Sequence, residues 1–246
     1  MKVITGFLSL YARTVAQAFR WPWRIQEINQ AIVHVGFESL PIITISTAFA
    51  GIVLTSEIAW HLDHALHTVS MMPGVTGQFI LRELGIAIPA LLMVSKVGAS
   101  ITAEVGSMKV TEQIDALKLL RIDPIQYLVF PRFIASIFSI GCLTLVSVVV
   151  TLSCSVMVAM VHYNFTLMEF INQLRHFIGF KDLLGALIKG MIYGSVIPVM
   201  SCYFGFECKS GAEGVGTATT NSVVASTTLV ILLDFVLTYI YTLILY

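Results

Sequence analysis

The sequence predicts an all-α integral membrane protein, with five transmembrane helices preceded by an N-terminal amphipathic helix at the membrane interface. Two observations predict this fold class. Hydrophobic residues make up 57% of the 246 residues and charged residues only 11%, whereas about 25% charged residues is usual in a soluble domain. In addition, five long stretches contain at most one charged residue each, and roughly 20 mostly apolar residues allow a helix to cross a bilayer.

The overall composition excludes three other classes of protein. The 14 Lys and Arg residues are matched by 14 Asp and Glu residues, so the chain has no net positive field that would attract nucleic acid. High hydrophobicity excludes a disordered chain. Most of the 4 Cys residues lie in apolar runs, which excludes a secreted disulfide scaffold.

Residues 1–24 are the predicted interfacial helix. Apolar side chains recur there at helical spacing, and basic and polar side chains lie mostly on the opposite face. We expect Pro22 to end this helix, and Trp21 and Trp23 to anchor it in the interface. A short soluble leader is the alternative interpretation.

The predicted spans are the long apolar runs, which we assign to a single membrane domain over residues 1–246. They cover residues 39–56, 84–103, 133–161, 183–206 and 222–246. If the N-terminus is cytoplasmic, nine Lys and Arg residues lie inside and three lie outside. This distribution agrees with the positive-inside rule and places the C-terminus on the far side of the membrane.

The segment 104–123, between the second and third spans, is predicted to be a cytoplasmic amphipathic helix. Its apolar stripe consists of Val110, Ile114, Leu117 and Leu120. Asp123 is followed by Pro124, a sequence typical of a helix N-cap. Two interpretations remain open. The helix either packs only against its own protein, or docks a cytoplasmic partner and transmits a push to both spans.

The run from Leu81 to Arg132 resembles the signature of the MCE-associated ABC-transporter permeases, the MlaE/YrbE family. The pieces RELG, GASITAE, TEQIDAL and DP…PR stand in the family's order and spacing. A second run, GAEGVGTATTNSVV followed by LDFVLT, resembles the family's other signature, and the match covers essentially the whole chain. Three places depart from the pattern. Ile86 follows RELG where proline is usual, Ser95-Lys96 stands where Gly-Arg is usual, and Thr217 and Asn221 occupy positions that are often basic.

The resemblance implies a homodimeric lipid-trafficking permease in the bacterial inner membrane, with a cytoplasmic N-terminus and a periplasmic C-terminus. Its expected substrates are phospholipids or related lipids. Its expected partners are a cytoplasmic ABC ATPase, a periplasmic MCE-domain lipid-binding protein and a small STAS-like cytoplasmic protein. This chain has no GxxxxGK[ST] motif, so we expect no cofactor in it, and ATP and Mg to be bound by the ATPase.

The resemblance also makes the segment 104–123 the coupling helix that sits in the ATPase cleft. The residues expected to couple to the ATPase are Glu104, Met108, Lys109, Glu112, Asp115, Lys118 and Arg121.

Four charged residues at or within the apolar runs are the other candidate site residues. Arg82 and Glu83 lie at the outer end of the second span, while Lys189 and Asp234 stand alone in the fourth and fifth. A charge at the bilayer centre costs about 2.5–3.5 kcal/mol, so such residues usually face a cavity or a partner. These four either pair with one another and fix helix register, or form a polar patch in a lipid cavity. For Asp234 we favour pairing across helices.

Two other functions are weighed against a permease. An intramembrane lipid-modifying enzyme needs a nucleophile with a base, or metal ligands, at membrane depth, and the sequence has neither HExxH nor GxSxG. A solitary channel would conduct without ATP, and no filter-like motif is present. His61, His64 and His67 are spaced as HxxHxxH, but we assign them to a solvated loop. We therefore predict a transport subunit without catalytic residues or a metal site.

Overall fold

The structure is a computed structural model that describes residues 2–17, 25–209 and 211–245. Every regular element in these ranges is helical, which confirms the predicted all-α fold class. The N-terminal helix runs over Lys2–Gln17. The predicted helix stop at Pro22 and the anchors Trp21 and Trp23 lie outside the described residues.

The described helices follow one another with short connections. The α-helices are α1 (Lys2–Gln17), α2 (Ile25–Val35), α3 (Leu40–Leu66), α4 (Met72–Phe79), α5 (Gly85–Met93), α6 (Ala99–Val110), α7 (Gln113–Leu119), α8 (Phe130–His162), α9 (Leu167–Phe177), α10 (Phe180–Phe206) and α11 (Ala212–Leu245). A 3₁₀ turn precedes α3 at Phe37–Ser39, and π-helical segments occur at Ile80–Leu84, Val94–Gly98 and Ile125–Val129.

The five predicted membrane spans are confirmed in number and order. Within the described residues, five helical stretches are long and apolar enough to cross a membrane: Ile25–His64, Met72–Val110, Ile125–His162, Phe180–Phe206 and Ala212–Leu243. Each is longer than the uncharged run that predicted it, because the helices continue through charged residues at their ends.

The helix predicted over 104–123 is divided in two. Residues 104–110 belong to α6, and only Gln113–Leu119 form the separate helix α7. Glu104 lies within the span helix, and its carboxylate is paired with the guanidinium of Arg132 at 2.6 Å. The break falls at Thr111 and Glu112, where the backbone of Glu112 is left-handed, with a φ of 59°.

The fifth span begins at Ala212 rather than at residue 222, so the glycine-rich run lies in its first turns. Gly214 is needed there. A Cβ at this position would lie 2.3 Å from the carbonyl oxygen of Lys209. Glycine therefore allows the chain to turn directly from the preceding loop into α11.

The second span is interrupted twice. π-Helical segments occur at Ile80–Leu84 and Val94–Gly98, and Pro89 lies in the α-helix between them. A π turn is rare in an α-helix and is common at functional sites, and proline removes one more backbone hydrogen bond. The span is therefore a chain of short helical pieces.

The Lys96 ammonium group, in the second π segment, bonds to the turn before α3. It donates hydrogen bonds to the carbonyl oxygen of Glu38 and to the hydroxyl of Ser39, the latter at 3.2 Å. These bonds satisfy acceptors at the junction between α2 and α3. The single charge of the second predicted span thus has a structural partner.

The chain divides into two compact units. The first comprises Met1–Ser39, Ala90–Gly141 and Met191–Leu233. The second comprises Leu40–Pro89, Cys142–Gly190 and Asp234–Tyr246.

Buried hydroxyl groups and glycines hold the helices of the first unit together. The Thr102 hydroxyl lies 2.8 Å from the Ser222 hydroxyl and 3.1 Å from the carbonyl oxygen of Ser201. A Cβ on Gly194 would lie 2.5 Å from the carbonyl oxygen of Ser136, so α10 and α8 are in backbone contact. Small residues at helix interfaces permit this close approach.

In the second unit, α4 and α9 pack against the ends of the spans. A Cβ on Gly74 would lie 2.2 Å from the ring of Phe177, and one on Gly77 would lie 2.3 Å from Leu174. The α9 helix begins with a capping box, in which Thr166 and Glu169 satisfy each other's backbone amides. These contacts fix the loop between the third and fourth spans.

Candidate functional site

Charged side chains gather at two places in the structure, one in each unit. The first is the coupling segment, residues 104–123. The second is the Lys189 cluster, which we define as Arg82, Glu83, Asp182, Lys189, Asp234, Thr238 and Tyr241.

A salt bridge connects the two spans on either side of the coupling segment. The Arg132 guanidinium donates to Glu104 at 2.6 Å and to the carbonyl oxygen of Leu128 at 3.3 Å. Arg132 is at the start of α8 and Glu104 is in α6, so the bridge joins the spans on either side of the segment. Arg132 was not among the predicted coupling residues, although the proline-arginine pair at 131–132 was part of the recognised signature.

Asp115 is the centre of the charge cluster on α7. Its two carboxylate oxygens accept hydrogen bonds from the ammonium groups of Lys118, at 2.7 Å, and Lys109, at 3.2 Å. These bonds lower the pKa of the Asp115 carboxyl below its ordinary value of 3.8. Three predicted coupling residues are therefore bonded to one another, and the pairing holds α7 against the end of α6.

Both ends of α7 are closed by residues in the left-handed conformation. Glu112 has a φ of 59° and Arg121 a φ of 57°. After α7, the Arg121 amide donates to the carbonyl oxygen of Lys118 and the Ile122 amide to that of Leu117, both at 3.0 Å. This pair of bonds is a Schellman motif, in which the left-handed position is usually glycine. Glu112 and Arg121, two other predicted coupling residues, thus have the left-handed conformation although neither is a glycine.

The apolar surface of the coupling segment differs from the predicted stripe. Ile114 is buried, but Leu120 is 70% exposed and the neighbouring Leu119 is 86% exposed. Met108 and Leu117 are half-buried. The helix ends too early for Leu120 to follow the stripe, because Arg121 reverses the chain. Two adjacent leucines are thus presented at the tip of a charged loop outside the spans.

Lys189 is the buried centre of the second cluster. Its ammonium group donates to the carbonyl oxygen of Arg82 at 2.8 Å, to Asp234 at 3.0 Å and to the Thr238 hydroxyl at 2.6 Å. A lysine ammonium has three protons, so each has an acceptor. The Arg82 carbonyl belongs to the first π segment, and Lys189 therefore satisfies a backbone acceptor of the irregular turn.

Glu83 completes this part of the cluster. Its carboxylate lies 3.7 Å from the Lys189 ammonium and accepts a hydrogen bond from the Thr238 hydroxyl at 2.8 Å. The four charged residues predicted from the apolar runs are thus brought together by the fold. Lys189 pairs with Glu83 and Asp234, whereas the Arg82 guanidinium pairs with Asp182. Pairing across helices, favoured for Asp234, is observed.

Asp182 links Arg82 to the fifth span. One of its carboxylate oxygens accepts from the Arg82 guanidinium at 3.0 Å and from the Tyr241 hydroxyl at 3.1 Å. The other accepts from the Gly179 amide at 2.8 Å. Asp182 is buried, and it was not among the predicted site residues.

Helical spacing could have revealed the residues of the cluster that were not predicted, which are Asp182, Thr238 and Tyr241. Asp182 precedes Lys189 by seven positions in α10, which places both on one face of the helix. Asp234, Thr238 and Tyr241 have the spacing i, i+4, i+7 in α11 and also share a face. The signal was therefore present, but Asp182 lay just outside the uncharged run that defined the fourth span.

A cavity of about 360 Å³ lies beside the Lys189 cluster. Its apolar lining comes from Leu81, Ile86, Leu184, Ala186, Ile188, Leu237 and Ile240. Arg82, Lys189 and Tyr241 reach it from the cluster. An apolar cavity with a few polar groups at one side is the usual form of a small-molecule site. Its chemistry suits a molecule with a hydrocarbon part and a polar group.

No group of three or more His, Cys, Asp or Glu side chains is placed to hold a metal ion in the part of the chain that the structure describes. His61 and His64 lie on α3 and not in a loop, since that helix extends to Leu66. The His64 ring stacks on Trp60, with 4.4 Å between the ring centroids.

Comparison with known proteins identifies relatives along almost the whole chain. The family model described as Permease MlaE matches residues 28–240. A probable ABC transporter permease protein of Rickettsia felis is 34% identical over 239 residues, covering 95% of this chain and 90% of that protein. One of Pyropia yezoensis is 33% identical over 240 residues, with coverages of 95% and 91%. One of Synechocystis sp. is 34% identical over 205 residues, with coverages of 83% and 78%.

Proposed function

This chain belongs to the MlaE permease family and is a multi-pass membrane permease subunit of an ABC transporter; we propose that it moves phospholipids or related lipids, driven by a separate cytoplasmic ATPase. The proposed complex contains two copies of this chain in a bacterial inner membrane and a periplasmic MCE-domain protein that exchanges lipid with it. A STAS-like cytoplasmic protein is a further proposed partner. The N-terminus is cytoplasmic and the C-terminus periplasmic in this proposal.

One observation supports the proposed ATPase contact most strongly. Leu119 and Leu120 are 86% and 70% exposed at the tip of the coupling segment, although the surrounding loop is charged and lies outside the spans. Exposed apolar groups rimmed by polar ones mark protein-interaction sites. The Lys109–Asp115 bridge links α7 to α6, and the Glu104–Arg132 bridge links α6 to α8. In this proposal, a push on α7 reaches the membrane helices through these contacts.

Co-purification tests this contact. The change Leu119→Asp with Leu120→Asp places two charges in the proposed interface, and we expect loss of the ATPase from the complex purified in mild detergent. The control is Leu167→Asp, an exposed leucine of α9 in the other unit, which should leave the ATPase bound. Unchanged ATPase recovery in the double variant would contradict the assignment.

The lipid substrate is supported by the cavity beside the Lys189 cluster. Its walls are apolar, as acyl chains require, and Arg82 lies at its edge with 24% of its side chain exposed. With two cationic and three acidic side chains, the cluster has a formal charge of 2 − 3 = −1 when all are ionised. We therefore propose that Lys189 has a structural role in joining the helices. The more accessible Arg82 contacts the lipid headgroup in this proposal.

Mass spectrometry of lipids that co-purify with the complex tests the substrate class. We expect bound phospholipid, reduced by Leu184→Trp, which fills the cavity at an exposed wall position. Leu243→Trp, at an exposed position of α11 outside the cavity lining, is the control. Purification without any lipid, or with equal lipid in the Leu184 variant, would refute the cavity as the substrate site.

A further inference from the structure

A second cavity, of about 390 Å³, lies in the first unit between α1, the coupling segment and the end of α10. This volume falls within the ~300–1,000 Å³ typical of small-molecule sites. Its charged lining residues are Arg13, Lys109, Lys118, Asp123 and Glu207. The cavity therefore offers charged groups of both signs to a ligand.

The walls of this cavity are fixed by direct contacts of α1. A Cβ on Gly6 would lie 2.6 Å from the ring of Tyr203, so α1 is seated closely on α10. The Tyr11 hydroxyl lies 3.0 Å from that of Ser195. At the end of α1, Gln17 donates a hydrogen bond to Asp123 at 2.9 Å. The cavity is thus bordered by elements that are held in place, as a binding site requires.

The cationic side is suited to a phosphate group. Lys109 and Lys118 donate to the two oxygens of the Asp115 carboxylate at 3.2 and 2.7 Å, so their ammonium groups converge on one small anion. Arg13 is exposed and forms no ion pair within the described residues. Arginine and lysine are the side chains that bind phosphate oxygens through charge-assisted hydrogen bonds.

The acidic side is suited to an ammonium group. The two oxygens of Asp123 accept from the Ile125 amide at 3.0 Å and from Gln17, which holds the carboxylate in one orientation. Glu207 is exposed at the end of α10 and, in the ranges that the structure describes, has no salt bridge. Two carboxylates offer several acceptor positions to a primary ammonium, which has three protons.

The outer face of α1 locates this cavity at the membrane surface. Ile4 and Leu8 are 63% and 56% exposed, and they lie on the opposite side of the helix from Ser9 and Arg13, which line the cavity. A helix with an exposed apolar stripe and a polar opposite face lies in the headgroup region of a bilayer. The cavity therefore opens at the depth where lipid headgroups are found.

We propose that this cavity binds the zwitterionic headgroup of an aminophospholipid from the leaflet in which α1 lies. The phosphate is bound by Arg13, Lys109 and Lys118, and the primary ammonium by Asp123 and Glu207. With Asp115 included, the site has three cationic and three acidic side chains. Binding of a zwitterionic headgroup leaves the net formal charge of the site at zero, whereas binding of an anionic headgroup makes it negative.

This lipid is distinct from the transported one, since it occupies another cavity in another unit. It bridges α1 and α7, and its binding stabilises the coupling segment in the position described. Transport would then respond to the aminophospholipid content of the leaflet. The inference does not depend on which substrate the permease carries.

Hydrogen–deuterium exchange of the purified complex in detergent tests the site locally. The probe is dihexanoyl phosphatidylethanolamine, which should slow exchange in α1 and α7. Arg13→Ala removes a charge-assisted hydrogen bond to the phosphate, so it should raise the lipid concentration for half-protection by roughly tenfold or more. Arg175→Ala, at an exposed arginine of α9, is the matched control and should leave it unchanged.

Several results would overturn the proposal. Ser9→Trp fills the cavity, so protection that persists in both this variant and Arg13→Ala would place the lipid elsewhere. Equal protection by dihexanoyl phosphatidylglycerol would refute selection of a zwitterion. Equal protection by inorganic phosphate alone would identify free phosphate, and not a lipid, as the ligand. Because exchange is followed in α1 and α7 only, failure of lipid transport would not affect the outcome.

Discussion

Lys189 is held by acceptors from the first π segment and from the fifth span. Replacing it with methionine would leave Asp234 and Glu83 without their cation in low-polarity surroundings. Breaking a buried ion pair by removing one partner costs about 3–5 kcal/mol. We therefore expect Lys189→Met to lower the thermal stability of the purified protein substantially.

The control for this prediction is Lys181→Met, at an exposed lysine in the same helix. It should leave the melting temperature almost unchanged. The double variant Lys189→Met with Asp234→Leu should recover part of the lost stability, since it removes one carboxylate that has lost its salt bridge to Lys189. If Lys189→Met were as stable as Lys181→Met, the cluster would not be the structural junction described.

The stability of the coupling segment depends on the ionisation of the Asp115 carboxyl. Its pKa is lowered by the hydrogen bonds from Lys118 and Lys109, so the folded state favours the charged form. The associated stabilisation is fully present above the ordinary pKa of 3.8 and is lost as the pH falls through the lower value of the folded protein. The lysine contacts of α7 should therefore persist throughout the physiological pH range.

Asp115→Asn imitates the protonated carboxyl at neutral pH. We expect faster amide exchange in α7, because a neutral amide holds the two lysines less strongly than a carboxylate does. Glu112→Gln is the matched control, since the Glu112 side chain is exposed and takes no part in the salt bridges of Asp115. Equal exchange in the two variants would show that Asp115 does not organise the segment.

At the scale of elements, α7 is short because both of its ends require left-handed residues. Arg121 occupies the position of a Schellman motif where glycine is usual. The left-handed conformation costs roughly 1–2 kcal/mol for a residue with a Cβ. Arg121→Gly should therefore raise the free energy of local opening of α7 by about 1 kcal/mol, measured by hydrogen exchange.

Arg121→Val tests the same point in the opposite direction. A β-branched residue is poorly suited to positive φ, so exchange in α7 should be faster than in the wild-type chain. Arg175→Gly and Arg175→Val, at an exposed position within α9, supply controls in which glycine should destabilise the helix. If glycine were destabilising at both positions, the left-handed turn at Arg121 would be refuted.

The length of α7 also shows what helical periodicity could not predict. The apolar spacing through Leu120 was compatible with one long helix, because a periodic pattern does not specify backbone conformation at individual residues. Neither Glu112 nor Arg121 is a glycine, so the usual signal for a left-handed turn was missing. Leu120 was predicted to lie on the apolar stripe, but it is exposed at the tip of the segment.

At the scale of the whole molecule, hydropathy predicted the five spans and the fold class, because apolar runs of membrane length are long and unambiguous. The four isolated charges were also found from the sequence, since each is costly in apolar surroundings. Their assembly could not be predicted, because it depends on how different helices are aligned with one another. Asp182 and Tyr241 entered the cluster through that alignment.

The positions of the π-helical segments likewise could not be predicted from the sequence. Pro89 lies inside a short α-helix, while the irregular turns stand on either side of that helix. The first of these turns offers the Arg82 carbonyl to Lys189. Such a turn is stabilised by a tertiary contact, so no local preference in the sequence indicates it.

The central claim is that this chain moves lipid only when a separate ATPase acts on its coupling segment. The most direct measurement is transfer of fluorescent phospholipid out of proteoliposomes that contain the reconstituted complex. We predict transfer that requires ATP and the ATPase subunit, and that Leu119→Asp with Leu120→Asp abolishes it. Transfer by this chain alone, or ATP-dependent transfer unchanged in that variant, would contradict the account.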